Sequence, residues 1–86
     1  MDSAQAGEAW DHILTLAKQA VYEHFSDALD YVLKARSVAL GLYNTQVPMR
    51  GRLLVDLAVL IQLEAEARGI AHDLVEKSVL ETTGPS

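Results

Sequence analysis

Cysteine is missing from the chain altogether. That excludes a disulfide framework, a thiol nucleophile and a thiolate metal site. Proline occurs only twice and glycine five times in 86 residues, so little interrupts the Leu, Ala and Val that dominate the apolar set. Ala and Leu are strong helix formers, and the expected class is all-α. Aromatic residues are scarce: Trp10, Tyr22, Phe25, Tyr31 and Tyr43. Gly41, Gly51 and Gly69 fall in no phosphate-loop spacing. No basic region precedes an apolar core in MDSAQAGEAWD, so no signal peptide is expected and a soluble, cytoplasmic protein is the default. No apolar run approaches the ~20 residues a bilayer span requires.

Half the residues are hydrophobic, which excludes an intrinsically disordered chain. The length suits one domain, expected over residues 1–86 with frayed tails at 1–6 and 83–86. A domain this small buries only ~60% of its unfolded surface, so a second protomer is an effective way to complete the core. The net charge of −5 argues against nonspecific binding to nucleic acid or to an anionic membrane. Its distribution is uneven. Residues 1–30 carry six acids and one Lys; residues 31–55 carry Lys34, Arg36, Arg50 and Arg52 with no acid; residues 56–86 carry six acids and two bases.

Trp10, Ile13, Leu14, Ala17, Val21 and Phe25 recur at spacings of three and four, the mark of a one-sided amphipathic helix that Asp2 or Ser3 can cap. Ser26 and Asp27 read as an N-cap opening a second helix. The heptad series Leu14, Val21, Ala28, Ala35, Leu42 nevertheless runs through them without a change of phase. Two versions follow, helices over about 4–24 and 27–43 or a single helix of some forty residues in a long hairpin. The break is preferred because helices average about 11–12 residues. Asn44-Thr45-Gln46-Val47-Pro48 is the clearest stop, since Pro48 pushes Val47 out of the helical region.

The central helix follows, LLVDLAVLIQLEAEAR from Leu53 to Arg68, whose first nine residues are apolar except Asp56. At about 100° per residue, Leu53, Leu57, Leu60 and Ile61 make one stripe and Val55, Val59 and Leu63 another on roughly the opposite side. A helix apolar all round is buried between two things. Val55, Val59 and Leu63 are therefore the expected dimer interface. Gly69 is a natural terminator, and a shorter final helix is expected over about 71–82. The fold expectation is an all-α bundle of three or four helices that dimerises.

Chemistry finds little footing. Glu8/His12 and His72/Glu76 sit four apart, but a dinuclear bundle site wants Glu-x-x-His from each of two helices and further inward carboxylates. Surface pairing is the simpler reading of both, and no metal or other cofactor is expected. Ser3, Ser26, Ser37 and Ser78 read as caps or solvated positions, and no base is spaced to activate them. No catalytic residue is assigned and no enzyme is expected. Asp56, the lone charge in the apolar run, is expected to pair with Arg52 one turn earlier. Lys34, Arg36, Arg50 and Arg52 flank the Asn44–Pro48 turn and are expected to cluster at one end as a partner-binding tip. Arg50 and Arg52 in particular sit at a helix N-terminus, where positive charge is mildly unfavourable.

The segment RLLVDLAVLIQLEAEARGIAHDLVEKSVLETT resembles the two-helix part of the ribbon-helix-helix family of DNA-binding dimers. That resemblance implies a short strand over Thr45–Arg52 presenting Gln46, Arg50 and Arg52 to bases, and a dimeric transcriptional regulator. Pro48 would remove an N–H from such a strand and Gly51 would weaken it. The preferred expectation is a non-enzymatic protein–protein interaction module, a small regulator, adaptor, inhibitor or chaperone-like subunit acting as a homodimer on another protein. The DNA-binding regulator is the alternative.

Overall fold

The computed structural model describes residues 2–83. They form three α-helices, α1 (Ser3–Tyr22), α2 (Ala28–Thr45) and α3 (Arg50–Thr83), with a 3₁₀ turn at Val47–Met49 leading into α3. No strand occurs among the described residues, and no helix there is long and apolar enough to cross a membrane.

Each boundary has a local cause. Asp2 caps α1 through a capping box: its carboxylate accepts from the Gln5 amide at 2.8 Å, and the Gln5 side-chain oxygen accepts from the Asp2 amide at 3.3 Å. Two of the helix's unsatisfied donors are thereby met. The expected fraying of residues 1–6 does not extend to 3–6, which are helical with Ala6 fully buried; Met1 and residues 84–86 lie outside the described residues.

The break between the first two helices is present, and His24 makes it. His24 has a φ of 55°, its amide donates to the Val21 carbonyl and the Phe25 amide donates to the Ala20 carbonyl. This is a Schellman ending, which usually recruits glycine at the position His24 occupies. An L side chain in that left-handed conformation costs about 1–2 kcal/mol. His24→Gly is therefore expected to stabilise the fold by roughly 0.5–1 kcal/mol once glycine's extra unfolded-state entropy is subtracted. Chemical denaturation would show it as a higher midpoint with an unchanged slope.

The heptad that crosses this break is not a seam along one helix. Leu14, Val21, Ala28 and Ala35 are all buried, and the chain reverses between Val21 and Ala28. One period therefore describes the inner faces of two antiparallel helices.

At the second corner, Pro48 sits in the 3₁₀ turn, where its missing N–H costs nothing. The strand implied by the ribbon-helix-helix resemblance is not formed there. Thr45 ends α2, Val47–Met49 is 3₁₀, and Arg50 and Arg52 already belong to α3. Two residues apart on a helix, they stand about 200° apart and share no face.

Gly69 is no corner either. α3 continues through it for 34 residues, with Gly69 at negative φ, so the separate final helix expected over 71–82 is the distal part of α3. A mid-helix glycine costs only about 1 kcal/mol relative to alanine, less than the continuous backbone hydrogen bonding and Leu, Ala and Glu around it supply. A Cβ built at Gly69 meets nothing within 4 Å. Gly69→Ala should accordingly stabilise the protein by roughly 0.5–1 kcal/mol. A destabilisation on thermal or chemical unfolding would show that the chain turns there after all.

The three helices run up, down and up, and close on a core in which Trp10, Leu53, Leu60 and Val32 are the largest fully buried side chains. Ala6, Ala17, Ala20, Ala28, Ala35, Ala39 and Ala67 are buried among them, and such small residues let the helix backbones approach closely. α3 is much longer than its neighbours: α1 has 20 residues and α2 has 18. At 1.5 Å per residue α3 measures about 51 Å, and the molecule is a rod of 59 × 18 × 17 Å. Beyond Ile70, the last residue of α3 packed on the core, the helix projects as a solvated overhang.

Candidate functional site

The expected polar features are used mostly inside the chain. Asp56 pairs with Arg52, Nε to Oδ2 at 3.4 Å, and the same Oδ2 accepts from the indole Nε1 of Trp10 at 2.7 Å. Arg52 also pairs with Asp11 of α1. The chain Trp10–Asp56–Arg52–Asp11 thus ties α1 to α3 at one register. It explains a carboxylate in the most apolar stretch: a buried indole N–H needs an acceptor, and Asp56 is the acceptor. The pairing with Arg52 was readable from the spacing. The indole partner comes from 46 residues away, and its only sequence signal is that both groups need a partner.

Arg50 has its own local reason for standing at a helix start. Its Nε donates to the Tyr43 carbonyl at 2.8 Å, one of the last four of α2, which lack an intrahelical partner. Its guanidinium lies 4.9 Å from the centre of the Tyr43 ring, close enough for a cation–π contact. Arg36 donates to Glu64 at 2.9 Å, and Arg68 reaches the same Glu64 oxygen at 3.4 Å. Lys34 is exposed.

The partner-binding tip of Lys34, Arg36, Arg50 and Arg52 is therefore not assembled as one cluster. Arg50 and Arg52 are at the turn, whereas Lys34 and Arg36 lie about 13–17 Å down α2. Three of the four cations are engaged by an acid or a carbonyl of the same chain.

The dimer stripe of Val55, Val59 and Leu63 also divides. Leu63 is 4% exposed and belongs to the protomer's own core, Val59 packs partly against that core, and only Val55 stands out, at 65% exposed. The inward face of α3 is Leu53, Leu60, Leu63 and Ala67. The outward face is Leu54, Val55, Ala58, Ile61 and Ala65. Ile61, grouped with Leu53 and Leu60 by the sequence pattern, is 67% exposed. The overhang adds Leu74, Val75, Val79 and Leu80, all exposed. These exposed apolar side chains on one helix are the most prominent surface feature among the described residues, since hydrophobics exposed singly are ordinary.

Two smaller features accompany it. An open cleft of about 420 Å³ lies where α1 ends against α3, lined by Val21, Tyr22, His24, Glu66, Gly69, Ile70 and Asp73. On the overhang, His72 Nδ1 stands 3.8 Å from Asp73 Oδ1 and 3.8 Å from Glu76 Oε2. All three side chains are exposed, as solvated helix residues are. Glu8 and His12, the other pair with ligand spacing, are exposed on α1. No protein-family model matches the chain, and comparison with curated proteins and with solved structures finds no match.

Proposed function

We propose that this protein is a non-enzymatic interaction module, a small regulator, adaptor or chaperone-like subunit that works as a homodimer and acts by docking helices on another protein. The observation that carries the reading is the outward face of α3, where Leu54, Val55 and Ile61, followed by Val75, Val79 and Leu80 on the overhang, are all more than half exposed. So many exposed apolar side chains on one helix are characteristic of a protein that meets another. The charges fit the same reading. Arg36, Arg50 and Arg52 are spent on structure, which leaves an acidic exterior suited to protein partners better than to nucleic acid. A cytoplasmic setting suits a cysteine-free chain whose fold rests on helix packing.

Light scattering over a wide concentration range tests the dimer. Two chains per particle are expected at high concentration, with dissociation on dilution. Single-chain particles at every concentration, together with no cross-linked partner in cells, would overturn the proposal.

A further inference from the structure

The cleft of about 420 Å³ between the end of α1 and α3 gathers negative charge around an apolar floor. On the α3 side, Glu66, Gly69, Ile70 and Asp73 fall at i, i+3, i+4 and i+7, so they share one face. The two carboxylates are set about 10 Å apart along the axis, and Gly69 and Ile70 occupy the interval. Gly69 contributes backbone only, and a Cβ built on it meets nothing within 4 Å. The floor is therefore open between the two acids. On the α1 side, Val21 is buried and extends the apolar floor, while Tyr22 and His24 are exposed. A concave, largely apolar surface with a few polar groups is the usual form of a small-ligand site.

The charge is one-sided. No Lys or Arg lines the cleft. α1 carries no basic residue in its last turn, so the negative end of its dipole is not offset by its own helix. Arg68 lies between the two acids in sequence, but it reaches Glu64 at 3.4 Å and does not line the cleft. Glu66 is in no ion pair among the described residues. Asp73 has His72 Nδ1 at 3.8 Å, beyond hydrogen-bond reach.

We propose that this cleft binds a linear polyamine, an alkyl chain carrying ammonium groups at intervals. One ammonium pairs with Glu66 and another with Asp73, and the methylenes between them lie over Gly69 and Ile70. The spacing of the acids selects this ligand class. A simple monoamine satisfies only one of them. A bare metal ion gains nothing from the apolar floor, and an anion meets two carboxylates and the end of a helix dipole. Tyr22 adds an aromatic ring, which an ammonium group approaches favourably. The site is complete within one chain and does not rest on self-association.

Spermidine is the probe, titrated into the isotope-labelled chain at low ionic strength and followed by amide chemical shifts. Saturable shifts are expected at Val21, His24, Gly69 and Asp73, with the Gly69 amide reporting the floor itself. Hexaamminecobalt(III) has the charge of spermidine and no alkyl chain, so it measures diffuse attraction to a chain of net charge −5. It is expected to give weaker shifts that do not saturate and that spread to acids elsewhere, such as Glu8.

Glu66→Gln and Asp73→Asn are each expected to weaken spermidine binding roughly fivefold, the worth of one ion pair about 4 Å apart in water. Glu8→Gln, an exposed change near the far end of α1, should leave it unaltered. Gly69→Leu places a side chain over the open floor and is expected to abolish binding, with circular dichroism confirming that the chain is folded. If that variant does not fold, the two carboxylate variants decide. The site is overturned if spermidine gives no saturable shift through the millimolar range, or if hexaamminecobalt(III) binds the same amides as tightly. Equal weakening by Glu8→Gln and Glu66→Gln, or undiminished binding by a folded Gly69→Leu chain, overturns it likewise. None of these outcomes bears on the dimer, which light scattering decides separately.

Discussion

Trp10→Ala is expected to lower the stability of the fold by about 3–5 kcal/mol, the usual cost of emptying a large aromatic site in a core. Small domains hold at the low end of the 5–15 kcal/mol range of native stability. The variant should therefore populate the unfolded state at ambient temperature, seen as a loss of helical circular dichroism and a collapsed denaturation midpoint. Two terms combine. The indole is fully buried and is the largest of the fully buried side chains, so its removal leaves a cavity among helices held close by alanines and unable to collapse far. Its N–H also satisfies Asp56 at 2.7 Å. Trp10→Phe separates the two, since it keeps most of the ring but leaves the carboxylate without its indole donor. Asp56 is 16% exposed and retains Arg52, so the loss there should be near 1–2 kcal/mol. A double-mutant cycle with Asp56→Asn would isolate the coupling. If Trp10→Ala behaved like a surface change, with a loss under about 0.5 kcal/mol, the core described here would be wrong.

The parts of this fold that were legible in the sequence are those carried by local signals, even where, as at Ser26–Asp27, a heptad series ran against them. The one-sided spacing from Trp10 to Val21, the Ser26–Asp27 break and the Asn44–Pro48 stop each correspond to an observed boundary or face, whereas Phe25, which the same spacing included, lies past the end of α1 and is exposed. What was not legible has a physical reason in each case. Gly69 carries the usual sign of a helix end, but a terminator ends a helix only when the next residues gain more elsewhere, and here they gain nothing. His24 ends α1 from a position that glycine normally fills. Lys34 and Arg36 are near the turn in sequence and far from it in space, because a helix spends 1.5 Å on every residue. The hydrogen bond from Trp10 to Asp56 joins helices that the intervening chain says nothing about.

The phase of α3 failed for a different reason, and it can be tested on two neighbouring residues. Where eight of nine consecutive positions are apolar, hydrophobicity no longer distinguishes one side of a helix from the other. The inward side is then chosen by tertiary packing, by the groove between α1 and α2 and by the bond from Trp10 to Asp56. Leu60 is 1% exposed and Ile61 is 67% exposed, although their chemistry is nearly the same. Leu60→Ala is expected to cost about 2–5 kcal/mol through lost transfer energy and the cavity left behind. Ile61→Ala should cost the protomer less than about 0.5 kcal/mol, because it removes little buried surface and replaces a β-branched residue with the best helix former. The two differ again in how they respond to concentration. Anything that binds only the folded chain adds to its apparent stability by mass action. Ile61→Ala should therefore lower the midpoint of chemical denaturation at high protein concentration and leave it nearly unchanged on dilution, whereas Leu60→Ala should lower it by a similar amount at both. Equal losses at low concentration would mean that both residues are buried in the protomer, and the outward stripe of α3 would then be no surface at all.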